Sequence, residues 1–401
     1  MSDHSSGVEK TSERSGADDF YPLPISTLIP ALTSAFDLKE TYPKGHALRI
    51  CAIGMQLGAK IGLPEVALAN LYYALLFVSD CTSLLLDGPN GFRYELATRF
   101  VQYIDLPNEV ARLIGRGHER WEETAPQVGL RPEQKFVLPL IINRAIALAS
   151  GADQYVQAVA INALSHRSEI SDSDIDRALK LLCAPIAVWD DLTSSELLSH
   201  VMALEPRHRN PADKGLTIDG ICLAFAQIAD TRSAASFAHS VGVARVAVSI
   251  AKLMGLEPKS IKLLERAALV HDIGKIGVRG AVLEKSDALT FDEWSDIRRH
   301  PRHTKEILGK IPGFDEISAI AVAHHEKLDG SGYPYGLTAS ELSLPARILA
   351  VADIYDALLS LRPYRQPLGR DEALVVMNRE APGALDQACL NALEVAANHD
   401  S

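Results

Sequence analysis

The stretch His239-Ser-Val-Gly-Val-Ala-Arg-Val-Ala-Val-Ser-Ile-Ala-Lys-Leu-Met-Gly-Leu256 places apolar residues three and four positions apart, as in Ala244, Ala247, Val248 and Ala251. That is the period of a helix with one buried face. The same spacing recurs from Leu32 onward with few alternating stretches of strand type, and Gly and Pro punctuate between the segments. The expected fold is all-α. The weakest stretch, Glu205 to Gly215, is polar and holds two prolines, so a domain boundary is placed there.

Working outward, residues 46 to 147 repeat landmarks found in residues 239 to 353. His46 stands 17 residues before Leu63 of Ile61-Gly62-Leu63, as His239 stands 17 before Leu256 of Met254-Gly255-Leu256. His118-Glu119 precedes Gly129-Leu130 by 11 residues, as His325-Glu326 precedes Gly336-Leu337; Leu138-Pro139 and Leu344-Pro345 follow. Three matches in one order predict two tandem copies of one helical-bundle domain. The copies differ in their ionisable residues. Where the second has His271-Asp272, His324 and Asp353, the first has Val78-Ser79, Gly117 and Ala147, and it holds no counterpart of His300. The expected organisation is a disordered leader at 1–19, a degenerate copy at 20–205, a linker at 206–218 and a catalytic copy at 219–401.

With 401 residues, 47% of them hydrophobic, the chain can bury large cores. Its 40 Lys and Arg against 51 Asp and Glu give a net charge of −11, which argues against a DNA or RNA footprint. An anionic ligand needs a local basic site. Cys51, Cys81, Cys183, Cys222 and Cys389 form no C-x-x-C pair, so neither a disulfide framework nor a thiolate zinc site is expected. A reducing cytoplasm fits. The most apolar runs are too short or interrupted, as by Asn143-Arg144, so no membrane span is expected.

Six of the 13 histidines fall between residues 239 and 325, and two adjacent pairs, His271-Asp272 and His324-His325, stand near the ends of apolar segments. A lone histidine such as His303 or His399 reads more readily as a surface or hydrogen-bonded core residue. For the set, metal binding is the better explanation. Imidazole suits Fe, Zn and Mn, and an aspartate beside a histidine can bridge two ions. Two ions about 3.5–4 Å apart would bind a phosphodiester and stabilise both the attacking and leaving oxygens of an in-line displacement. No nucleophile elbow, P-loop or dinucleotide-binding glycine motif competes with this reading.

The two pairs lie in Ala268-Leu-Val-His271-Asp272-Ile-Gly-Lys275-Ile-Gly277 and in His324-His325-Glu326-Lys-Leu-Asp329-Gly330-Ser-Gly332-Tyr333-Pro334. Together with Leu344 to Leu358 and Arg362-Pro363-Tyr364-Arg365, they resemble the HD-GYP phosphodiesterases, a branch of the HD metal-dependent phosphohydrolases, over about 140 residues. The resemblance implies two HD-type bundles, the C-terminal one intact, and hydrolysis of cyclic di-GMP to pGpG or GMP. By position it implies His239, His271, Asp272, His300, His324, His325 and Asp353 as metal ligands, with Asp272 the bridge and catalytic alongside Lys275. Lys275, Arg362 and Arg365 match residues that hold substrate phosphate, and Tyr333 stacks on a base or on a partner. Arg298, Arg299 and Arg302 either add positive potential near His300 or form a solvated face.

Iron or manganese is implied ahead of zinc, nickel or magnesium. Members with three metals carry a Glu four residues before the first histidine; here that position is Ala235, so two ions are expected. The usual H-S-x-R-V stretch has Gly242 in place of its arginine. Competing readings keep the metal site but take pGpG or cyclic GMP-AMP, or make the protein a weakly catalytic scaffold for diguanylate cyclase (GGDEF) partners, or a nucleotidase of the wider superfamily. The degenerate copy is expected to serve in homodimerisation, partner binding, gating or folding of the catalytic copy.

Overall fold

The computed structural model describes residues 25–38, 44–84, 98–114, 137–149, 192, 194–206, 216–230, 238–361 and 365–399. Among these residues there is no strand, and Asp329 and Thr338 form an isolated antiparallel bridge. The first half contributes α1 (Ile29–Asp37), α2 (His46–Lys60), α3 (Glu65–Leu84), α4 (Asn108–Ile114), α5 (Val137–Ala149) and α6 (Leu197–Ala203). The second contributes α7 (Ile218–Asp230), α8 (His239–Leu253), α9 (Pro258–Val270), α10 (Gly280–Leu283), α11 (Phe291–Arg298), α12 (His300–Leu308), α13 (Asp315–Val322), α14 (Leu344–Leu359), α15 (Arg370–Ala384) and α16 (Gln387–His399). A 3-10 turn, Ile273–Gly277, follows α9. The all-α expectation holds. The leader at 1–19 and residues 207–215 of the linker lie outside the described residues.

The two landmark stretches fold alike. α2 and α8 each run 15 residues from a histidine, each preceded by a left-handed residue, Gly45 at φ 74° and Ala238 at φ 66°. Each stops at a left-handed glycine, Gly62 at φ 71° and Gly255 at φ 73°. Beyond it Leu63 N donates to Gly58 O at 3.1 Å, and Leu256 N to Ala251 O at 3.0 Å. This is the Schellman stop, which satisfies carbonyls that a helix end otherwise orphans. The Gly-Leu landmark is therefore a helix terminator. α2 then packs on α3 and α5, as α8 packs on α9 and α14.

Starts in the second half follow local chemistry. Thr290 and Glu293 form a reciprocal capping box on α11, Ser343 caps α14, and prolines stand in the first turns of α9, α12 and α14. Buried apolar residues from Ile25 to Leu393 form one continuous cluster across both halves. α1 packs on α12 and on the 3-10 turn, and Ser34 Oγ donates to Glu306 Oε1 at 3.3 Å. Among the described residues no helix is long and apolar enough to cross a membrane.

Candidate metal centre

Packing α8, α9, α12, α13 and α14 together brings helix ends to one point. His239 opens α8, His300 opens α12, His271-Asp272 closes α9, His324-His325 follows α13, and Asp353 lies within α14. All are buried except His325, which is half-buried. Three groups of donor atoms lie within metal-binding reach of one another: His239, His271 and Asp353; His271, Asp272 and His324; and His300, His324 and His325.

Asp272 lies between them. Its Oδ1 is 3.3 Å from His300 Nε2 and 3.8 Å from His324 Nε2, while its Oδ2 is 3.3 Å from His271 Nε2 and 3.8 Å from His239 Nε2. Each oxygen thus faces a different pair of imidazoles. Lys275 Nζ, one turn on, donates to Oδ2 at 2.5 Å.

The rings are oriented from behind. Nδ1 of His271, His300 and His324 lies 2.6–2.7 Å from the carbonyl three residues earlier, of Ala268, Ile297 and Ala321. A carbonyl only accepts, so Nδ1 carries the proton and Nε2 turns inward. His239 Nδ1 is held instead by Asp356 Oδ2 at 2.6 Å. Asp356 stood in the quoted motif without a role; its place one turn after Asp353 on the same helix was the signal for one.

Charge divides the centre. Burial pushes His300 down to about 3 and His324 down to about 4, with the charge of neighbouring groups modulating this, and burial with His324 holds His325 well below the ordinary range. Burial opposes the charged form of His271 too, but Asp272 and Asp353 outweigh it and push it up to about 10. Against the same burial, Asp353 and Asp356 raise His239. His271 helps hold both Asp272 and Asp353 well below the usual carboxylate range despite their burial.

The donors fit cations. His300 Nε2 and His324 Nε2 face one another at 3.1 Å. Both rings are neutral and have spent their protons on Nδ1, so two lone pairs oppose each other, an arrangement that a cation relieves. His239 Nε2, His271 Nε2 and Asp272 Oδ1 are likewise buried without a hydrogen-bond partner. Such groups are costly unless something is coordinated there.

The loop after His325 forms the mouth. Glu326, buried and given no role by the sequence, accepts from Tyr335 N at 2.7 Å and Leu337 N at 3.0 Å. Gly332 passes so close that a Cβ there would lie 2.4 Å from Glu326 Cα. Tyr333 stacks on His325 with centroids 4.7 Å apart. Arg298 lies over the Tyr333 ring, Arg302 Nη2 donates to Pro334 O, and Lys305 lies over Tyr335. Of the two arginines expected to hold phosphate, Arg365 donates from Nη1 and Nη2 to Leu358 O and Ala357 O, capping α14. Arg362 lies outside the described residues, as do Ala235 and, in the first half, Gly117 and His118.

Residues 224–389 match the HD domain family. The chain is 30% identical to the 3'3'-cGAMP-specific phosphodiesterase 3 of Vibrio cholerae, over 94% of this chain and 95% of that protein. It is 40% identical to the cyclic di-GMP phosphodiesterase response regulator RpfG of Xanthomonas campestris, over 42% of this chain and 45% of that one. A crystal structure of a cyclic GMP-AMP specific phosphodiesterase from V. cholerae superposes with a TM-score of 0.54 at 28% identity, covering 93% of this chain and 97% of that chain. With the His-Asp pair, the His-His pair and the Gly332-Tyr333-Pro334 loop gathered around one buried centre, the chain belongs to the HD-GYP phosphodiesterases of the HD metal-dependent phosphohydrolase superfamily.

Proposed function

We propose that this chain hydrolyses cyclic di-GMP, to pGpG and/or GMP, at a binuclear centre built on Asp272. The observation that carries the reading is the division of Asp272 between two histidine pairs. His239, His271 and Asp353 would hold one ion; His300, His324 and His325 would hold the other; Asp272 would serve both. Two bound ions supply Lewis acidity and a more acidic water at neutral pH. Iron or manganese suits this mixed imidazole and carboxylate set.

The chain's own groups do the rest. Lys275, already within hydrogen-bond reach of Asp272, is placed to neutralise a phosphate oxygen arriving beside that carboxylate. Arg298, Arg302 and Lys305 give the mouth a cationic lip on a protein whose net charge is −11, concentrating an anionic dinucleotide there. Arg365 supports α14, and through it Asp353, by capping the helix end. The first half is read as a catalytically empty copy of the same domain, because its landmark helix and stop are retained while Val78 and Ser79 replace the His-Asp pair.

A second reading makes 3'3'-cGAMP the main substrate, favoured by the relative that matches along nearly the whole chain and bears that specificity in its name. Incubating the manganese- or iron-loaded protein with cyclic di-GMP, 3'3'-cGAMP and pGpG, and separating the products by chromatography, decides between them. Cleavage of cyclic di-GMP at a rate matching or exceeding that of 3'3'-cGAMP is expected. Faster cleavage of 3'3'-cGAMP selects the second reading, and cleavage of none rejects both.

A further inference from the structure

Four of the five histidines at the centre have Nδ1 fixed by a carbonyl or carboxylate at 2.6–2.7 Å; His325 has no such anchor. Its Nδ1 instead faces inward, 3.9 Å from Asp353 Oδ2. The ring is held by its faces. Tyr333 stacks on it at 4.7 Å and 29°, and the Arg298 guanidinium stands 5.2 Å from the Tyr333 centroid.

We infer that Tyr333, backed by Arg298, is the positioning residue for His325, doing by stacking what hydrogen bonds do for the other four imidazoles. The inference rests on the binuclear reading above. The loop is folded to deliver that ring. Tyr333 N donates to His325 O at 3.1 Å, Gly332 lies where no side chain fits, Glu326 draws in the amides of Tyr335 and Leu337, and Arg302 ties Pro334 to α12. Arg298 ends α11, directly before the helix that begins with His300, so cation, ring and imidazole form a stack joining α11, the loop and the second ion's donors. A stacked imidazole keeps its plane but can slide, so the ion bound by His300, His324 and His325 is the one that depends on Tyr333.

The test is manganese titration of the full chain, read by elemental analysis, by the electron paramagnetic resonance signal and by release to a chelator. Variants are Tyr333→Phe, which keeps the stack, Tyr333→Leu, which removes it, and Arg298→Met. The expected result is two ions in the wild-type protein and in Tyr333→Phe, and one tight ion in Tyr333→Leu, the second released about 10- to 100-fold more readily. Arg298→Met should fall between. Two equally tight ions in Tyr333→Leu overturn the inference while leaving the binuclear reading intact. So does a Tyr333→Phe defect as large as that of Tyr333→Leu, since the hydroxyl and not the stack would then be the active feature. A wild-type protein that binds fewer than two ions defeats the binuclear reading itself.

Discussion

Asp356 Oδ2 lies 2.6 Å from Nδ1 of His239, a contact between α14 and α8 made by residues 117 apart in the chain. It leaves His239 Nε2 facing Asp353 Oδ1 at 3.2 Å. The approach depends on Gly242, one turn after His239, where a Cβ would stand 2.2 Å from Asp356 Oδ1. The absence of the family's arginine at this position thus has a steric counterpart: the space is taken by a carboxylate that orients a metal-facing histidine.

Asp356→Asn and Gly242→Ala are therefore expected to weaken the hold on the ion of the His239 group by about 10- to 100-fold, the usual cost of losing a partner behind a ligand. Chelator competition measures it. Unchanged retention in both variants would show that the His239–Asp356 bond is incidental.

Asp272→Ala and His324→Ala should reduce hydrolysis by at least about 10²-fold, the scale of losing one charge-stabilising group at a reacting centre. Neither change opens an apolar cavity, so far-ultraviolet circular dichroism should remain that of a folded helical protein. Turnover near the wild-type level with normal metal content would refute the assignment.

Metal uptake should release protons at pH 7.5. His271, pushed up to about 10, is protonated before the ion arrives, and the ion displaces that proton from Nε2. His300 and His324, pushed down to about 3 and about 4, are already neutral and release none. The sign follows: affinity increases as pH rises from 6.5 toward 10, because less work is spent removing a proton. Calorimetry in buffers of different ionisation enthalpy should find about one proton released for the pair of ions; none released would contradict the charge division.

Much of the fold and of the centre is legible in the sequence. The three-and-four spacing around Ala244 to Ala251 marked helices because a buried stripe must follow the helical turn, and the paired His-Asp and His-His residues marked a cluster because adjacent donors at helix ends can converge. Glu326, Asp356 and the capping by Arg365 were not assigned. Glu326 acts on amides nine and eleven residues away that reach it only when the loop folds back, and Asp356 meets His239 only through the packing of α14 on α8. Their residue types were visible, but their partners depend on tertiary structure.

Glu326→Ala leaves the amides of Tyr335 and Leu337 without their buried acceptor, at about 1.5–3 kcal/mol for each bond to a charged group. The loss should be local. Amide hydrogen exchange at these two residues is expected to quicken by about tenfold or more, since each 1.4 kcal/mol is tenfold, while the α8 and α9 amides stay protected. Unchanged exchange at both would show that Glu326 does not hold the loop.

α1 packs on α12, which begins with His300, and on the 3-10 turn that contains Lys275; a Cβ at Gly277 in that turn would lie 3.1 Å from Leu38 Cβ. Ile29, Ala31, Leu32 and Ala35 of α1 are all buried within the cluster shared by both halves. A fragment of residues 206–401 therefore loses apolar cover from two elements that position donors at the centre, at about 25 cal/mol for each Å2 re-exposed. Its expected behaviour is a lower melting temperature and faster loss of the ion held by His300, with Asp353 and His239, on the far helices α14 and α8, less affected. A fragment that melts, binds metal and turns over like the full chain would show that the first half rests against the catalytic half without supporting it, leaving partner binding as its role.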